Sequence, residues 1–392
     1  MQIQEITGRF FSTGKPIAIK WRGKKIIEIN EVRGKESIKD LPFIANLLFD
    51  LQINGFAGID FQSRRKPISE NSLLIAVEHI LKSCCGHFFL TLITDRWDRM
   101  LDKLIHLKRI RDNNQVLKKA IAGWHIEGPF LSEKPGFYGA HNPRYMIDPS
   151  PAHIRQIRDI IPDDRILLTI APERKGAIKA IETATQHKIV VFIGHSDAPT
   201  SILREAIKAG AKGFTHLGNG CPQLLDRKDN ILWRILDLDF DDSFKISLIP
   251  DSIHISPPLF RLIHKVLPRK QIIYVSDAVA GAGAPKGIYS LGEMKITVEQ
   301  DGTIWNESRT GYAGSSLCPI DGILRAMKML DCEWQQVWEN YSTVPASVFN
   351  MGVEMLKPGM DADFVLLKSE KEGTLKPLKC VVSGKTYTTN EI

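Results

Sequence analysis

From about residue 45 onward, short apolar runs rich in β-branched and aromatic residues alternate with stretches of helical periodicity. The runs are Ile44 to Ile53, His87 to Ile93, Ala120 to Ile126, Ile166 to Ile170, Lys188 to Ile193, Ala211 to Thr215, Phe244 to Ile249 and Gln271 to Ser276. Between them, 3.6-residue spacing predicts helices over Ser69–Leu81, Asp98–Arg111, Gly176–His187 and Ser201–Ala209. The last is expected to be capped by Thr200 and stopped by Gly210, with Ile202, Ala206 and Ala209 on one face. Eight strand-like runs alternating with helices predict an α/β fold, a (β/α)8 TIM-like barrel.

The two ends of the chain read differently. Pro16 to Trp21 and Lys25 to Ile29 are short strands, broken by Gly23 and Gly34. After the eighth run come a Gly-rich stretch, Gly281 to Gly287, expected as an active-site loop, and a hairpin from Lys295–Val298 and Thr303–Trp305. Asp301-Gly302 is its turn. Helical patterns resume over Pro319–Leu330 and Glu333–Tyr341, and strands return at Phe364–Leu367 and Cys380–Val382. The expected organisation is a barrel over residues 45–351 and a small β-sandwich domain built from 1–44 together with 352–392.

A barrel of this type carries its chemistry at the C-terminal ends of its strands. The runs end at Gln52 and Asn54, at Thr94 and Asp95, and at Glu127, Glu173, His195, His216 and Asp251. His254 lies just beyond Asp251, and the eighth run ends at Asp277. A carboxylate at the end of a buried strand is costly unless something binds it. Glu127, His195 and His216 together suit a divalent metal of the zinc class, with iron, manganese or cobalt as alternatives. Such a metal would acidify water and polarise a carbonyl, with Asp277 as general base and then acid. Taken singly, each histidine reads more readily as a hydrogen-bonded structural residue than as a ligand. The first run offers Gln52-Ile53-Asn54 where two-metal barrels usually carry His-x-His, so one metal per subunit is expected, with Gln52 and Asn54 as a possible weak site or simply strand-end caps.

The net charge of +7, from 52 basic and 45 acidic residues, is spread over 392 residues without a basic tract, so nucleic acid is not an expected partner. The six cysteines, at 84, 85, 221, 318, 332 and 380, form no Cys-x-x-Cys pair and read as reduced thiols. No apolar run approaches the ~18 residues of a membrane span. The N-terminus lacks the basic start and apolar core of a signal sequence, and the expected location is the cytoplasm.

The order of motifs resembles the N-acetylglucosamine-6-phosphate deacetylases of the amidohydrolase superfamily from about residue 43 to 388. Phe49 to Gly55 with Gly58 to Phe61, His125 to Leu131, and Gly139-Ala140-His141-Asn142-Pro143 carry the likeness. So do Ala171-Pro172-Glu173, Gly194-His195-Ser196, Thr215-His216-Leu217, Asp251 to His254, Ser276-Asp277-Ala278, Ala313-Gly314-Ser315 and Pro358 to Asp363. The resemblance implies metal-dependent release of acetate from N-acetylglucosamine 6-phosphate. It implies Glu127, His195 and His216 as metal ligands, Asp277 as acid/base and His141 orienting the acetyl carbonyl. Ala140, Asn219, Gly220, His254, Ala313 and Gly314 would bind substrate, and Arg227 would reach the phosphate, often across a homodimer interface. The chain departs from the family at Gly218-Asn219-Gly220-Cys221, where an aromatic and a methionine are usual, and at Leu41 to Asn46, which lacks the usual Pro-Gly. The first departure leaves open a different N-acyl sugar or N-acyl amino acid as substrate, and a non-catalytic sugar-phosphate sensor is the reading of another class.

Overall fold

The computed structural model describes residues 2–32, 40–64, 66–351, 356–369 and 374–388. Gly34 and the expected boundary at residue 352 lie outside them. Eight strands succeed one another as expected: β1 (Leu48–Ile53), β2 (Cys85–Ile93), β3 (Ile121–Glu127), β4 (Ile166–Ile170), β5 (Val190–Ile193), β6 (Gly213–Phe214), β7 (Lys245–Leu248) and β8 (Ile272–Tyr274). Each pairs in parallel with the next. The ring closes just beyond β8, where Ala278 bridges Ile53 in parallel and its carbonyl accepts from Asn54 N at 2.7 Å. A helix follows every strand, so the (β/α)8 barrel is complete.

Three of these helices, Pro151–Ile160, Ile231–Leu236 and Pro257–Val266, are not among those expected from the periodicity. Two carry a legible start, because Ser150 and Ser256 sit at the N-cap with Pro as the first helical residue and accept the N–H three residues on. Thr200 is itself the first residue of its helix. Pro199 holds the cap position without a side-chain bond, and the buried residues of that helix are Leu203 and Ala206. Gly210 does end it, in the left-handed conformation with φ 115°.

The first apolar run proves to be two strands in different sheets. Phe43–Ala45 joins the terminal sheet, parallel to Ile3–Phe10 and antiparallel to Phe364–Lys368, whereas β1 enters the barrel. Both pieces are buried throughout, so apolarity alone does not mark the break between them. Among the described residues the terminal sheet has seven strands, ordered Lys385–Thr388, Lys376–Val382, Phe364–Lys368, Phe43–Ala45, Ile3–Phe10, Pro16–Arg22 and Lys25–Glu31. Trp21 and Phe364 lie three strands apart in that order, about 14 Å in a flat sheet. Their ring centroids are nonetheless 5.5 Å apart. The sheet therefore folds over itself as a small sandwich around Ile19, Trp21, Ile44, Phe364 and Val381.

The hairpin after β8 gains a third strand, Gly287–Leu291, antiparallel to Met294–Val298, which pairs in turn with Ile304–Asn306. Gly292 N donates to Asp60 Oδ2 at 2.9 Å and pins this insertion to the loop after β1. All six cysteines are free thiols. Among the described residues, no helix is long and apolar enough to cross a membrane.

Barrel closure rests on a buried carboxylate. Asp50, on β1, accepts from Gln52 N at 2.9 Å, from Ser276 N at 3.0 Å and from the Tyr341 hydroxyl at 2.7 Å. Burial pushes its pKa up to about 6 despite these donors. A carboxyl with a raised folded pKa costs stability as pH climbs from the unfolded value, and the full cost is present above the folded value. Tyr341→Phe removes a donor that favours the charged form, so it raises that pKa further. Unfolding by denaturant should show a loss of about 1 kcal/mol at pH 4.5, growing to about 2 kcal/mol at pH 8. A loss independent of pH would remove Asp50 as the reason.

Candidate active site

Glu127 ends β3. His195 and His216 lie two residues past β5 and β6, and Asp277 lies three past β8. Three of these four residues have left-handed backbones: His195 with φ 50°, His216 with φ 34° and Asp277 with φ 51°. Each costs about 1–3 kcal/mol in a non-glycine residue. The inversion turns each side chain inward over the barrel axis at the point where the strand would otherwise carry it past. Ser247 Oγ accepts from His216 N at 2.6 Å and anchors that turn.

Glu127 is the hub. Its Oε1 lies 2.8 Å from His216 Nε2 and 3.3 Å from His195 Nε2, and accepts from Gln52 Nε2 at 3.0 Å. Its Oε2 lies 3.9 Å from His141 Nε2. Burial alone would raise its pKa, but hydrogen bonds from His195 and His216 hold it well below the usual carboxylate range. The same Gln52 amide donates to Asp277 Oδ1 at 3.0 Å, and Asn54 Nδ2 donates to that oxygen at 2.7 Å. Burial and the Glu127 charge push Asp277 up to about 7.

Glu127, His141 and His195 offer ligand atoms all within 4.8 Å of one another, and His216 lies closer still to the carboxylate. The tautomers separate the three imidazoles. His195 Nδ1 is 2.8 Å from the Phe137 carbonyl, so Nδ1 carries a proton and Nε2 is the nitrogen that faces Glu127. His141 Nδ1 instead receives the Thr94 N–H at 3.3 Å, which leaves the proton on Nε2. Burial and the His195 charge lower the His141 pKa to about 3, so the ring stands neutral with an Nε2–H to donate. His216 Nδ1 is buried without a partner. One carboxylate and two imidazoles of this kind fit a divalent metal.

The surrounding cavity holds about 50 Å³ and is lined by Asn54, Ala140, Asn219, Gly220, His254 and Gly314 besides the hub. Ala313 sits behind this wall in a small apolar cluster with Val279 and Leu291. Arg227 is exposed on the loop 217–230, away from the lining. Glu173 is spent locally, accepting from Ser196 Oγ at 2.6 Å and Asp197 N at 2.8 Å. The Gly-rich stretch does not line the cavity; Gly283 packs on Phe56. The wall on that side comes from Ile93, Leu291 and Tyr312. Sequence reading missed Leu291 and Tyr312 because apolar positions in an insertion carry no signal of what they face. Gly220 has a φ of 63°, and a Cβ there would stand 2.8 Å from His195 Nδ1. The departure at this position therefore makes room for the histidine ring, not for a larger ligand.

No family model matches the chain. It is similar to curated N-acetylglucosamine-6-phosphate deacetylases. It is 28% identical over 334 residues to that of Danio rerio, spanning 83% of this chain and 80% of the relative. It is 26% identical over 342 residues to that of Bacillus subtilis, again spanning 83% and 80%. The solved N-acetyl-D-glucosamine-6-phosphate deacetylase of Mycobacterium smegmatis, in complex with N-acetyl-D-glucosamine-6-phosphate, superposes with a TM-score of 0.86 at 23% identity. That match covers 99% of this chain and 100% of that one. The structural likeness bears on the fold, and the sequence matches carry the family resemblance across most of the chain.

Gly220→Ala tests the packing. The added methyl forces His195 off the Phe137 carbonyl, and metal affinity measured by titration into the apoprotein should fall about 10- to 100-fold with circular dichroism unchanged. Unaltered affinity would separate Gly220 from the metal site.

Proposed function

We propose that this chain is an N-acetylglucosamine-6-phosphate deacetylase of the amidohydrolase superfamily, hydrolysing its substrate to glucosamine 6-phosphate and acetate. The observation that carries the reading is the junction of Glu127, two imidazoles and Asp277 through the single amide of Gln52. Glu127, His195 and His216 would hold one divalent cation per subunit, zinc being the expected metal with iron, manganese or cobalt as alternatives. A cation bound there supplies Lewis acidity toward water and the acetyl carbonyl.

The chain's own groups account for the proton traffic. Asp277 Oδ1 is held by Asn54 and Gln52, which leaves Oδ2 to take a proton from the attacking water and return it to the departing amine. With its pKa pushed up to about 7, the group can do both near neutrality. His141 presents Nε2–H to the acetyl oxygen, where charge builds as the carbonyl becomes tetrahedral. Gln52 and Asn54 act here as donors that aim Asp277, which is a use for two amides at the place where a second metal would need imidazoles. Ala140, Asn219, Gly220, His254, Ala313 and Gly314 form the proposed sugar side of the site. Arg227 is proposed to take the phosphate, within its own subunit or across a homodimer. A guanidinium fork matches two phosphate oxygens.

Acetate release from N-acetylglucosamine 6-phosphate, followed with elemental analysis, tests the reading. Asp277→Asn should lower kcat by at least about 1,000-fold with metal retained, whereas Glu127→Gln should lose the metal itself. Full turnover by Asp277→Asn would remove that residue from the reaction. Arg227→Ala should raise KM for the phosphorylated sugar about 10- to 100-fold and leave the unphosphorylated sugar unaffected. Indifference of the wild type to the phosphate would sink the substrate assignment.

A further inference from the structure

The Asp251–His254 pair lies on the cavity wall and takes no part in the hub around Glu127. Asp251 is buried, and its carboxylate is spent entirely on one short segment. Oδ1 accepts from Ile253 N and His254 N, both at 2.8 Å, and Oδ2 meets His254 Nδ1 at 2.6 Å. Between them Ser252 turns the chain with φ 63°. Arg325 Nη1 donates to the Asp251 carbonyl at 2.6 Å, which anchors the turn from the helix Pro319–Leu330. The His254 ring stands edge-on to Tyr312 at 5.5 Å, and Tyr312 rests on Trp305 at 4.8 Å. The ring is thus fixed on both sides. Its remaining nitrogen, Nε2, is buried without a partner in a residue that lines the cavity.

A carboxylate only accepts, so Nδ1 must carry a proton. Nε2 can then donate only if the ring is an imidazolium; a neutral ring in this setting would offer Nε2 as an acceptor. Burial works to lower the His254 pKa, but the charge and hydrogen bond of Asp251, with the Asp277 charge behind them, outweigh it and raise the value. Asp251 itself is held below the usual carboxylate range: burial opposes this, but the His254 charge and hydrogen bond prevail.

We infer that Asp251 is a positioning residue that keeps His254 a doubly protonated ring, with its buried Nε2–H reserved as a charge-assisted donor to an oxygen of the bound substrate. This rests on the function proposed above for the identity of that substrate, but not for the state of the ring. In Asp251→Asn the amide nitrogen faces Nδ1, which must then accept, so the ring becomes neutral without moving.

Two measurements on the full-length, metal-loaded protein test it. Nitrogen-15 NMR of histidine-labelled protein at pH 7, with His254 identified by its loss in His254→Ala, should show both ring nitrogens protonated in the wild type and Nδ1 unprotonated in Asp251→Asn. An unprotonated Nε2 in the wild type overturns the inference without any variant having to fold. In steady-state deacetylation, Asp251→Asn should raise KM about 10-fold with kcat within about threefold. In the His254→Ala background the same change should add nothing. Independent, additive effects of the two substitutions also overturn it. A wild type with the expected ring signals but no deacetylation would sink the proposed substrate and leave the positioning role standing.

Discussion

A buried carboxylate that stays ionised sets the terms for this molecule. Glu127 is 2% exposed, and a lone charge so placed would be neutralised by its surroundings. It survives because two imidazoles and an amide converge on one of its oxygens and a third imidazole faces the other. Those partners come from strands that are distant in sequence, so the barrel must close in register before the carboxylate is tolerable. Once closed, the same charge lifts Asp277 toward neutrality and holds the imidazoles around a single point. The raised Asp277 carboxyl and the imidazole cluster thus share one electrostatic origin.

The scaffold bears the cost of that arrangement. Three inward-facing groups sit on left-handed residues, and such strain persists only where the surroundings over-determine it. Asp50 ties β1 to the segment after β8 beneath the site, and Gly220 leaves the space that the His195 ring occupies. Thr94 and Phe137, neither of them facing the chemistry, decide through one backbone N–H and one carbonyl which nitrogen of His141 and His195 carries the proton. The same side chain is given opposite Nδ1 roles by what lies behind it.

The insertion after β8 closes the side of the cavity that the barrel leaves open. Its three strands are short, and Asp60 fastens them to the loop after β1. Tyr312 and Leu291 reach the cavity from this unit. A barrel end gains its shape in this way from a piece that contributes nothing to the barrel core, consistent with loops carrying what distinguishes one barrel from another.

Local patterning determined the eight strands, most of the helices and the polar residue at each strand end, because alternation and 3.6-residue spacing record which face each segment buries. The same patterning made Glu127, His195, His216 and Asp277 visible as candidates. It did not separate the strand Phe43–Ala45 from β1, since two adjacent strands buried on both faces read as one apolar run. It also gave Gln52 and Asn54 no duty beyond capping or a weak metal site. Only the folded chain decided that their amides hold Asp277, that Nδ1 accepts in His141 and donates in His195, and that Asp251 spends its carboxylate on His254. The reason is distance along the chain. The bonds that define the site join residues 75, 89 and 225 positions apart, and no local period carries information about which strand end will stand opposite another.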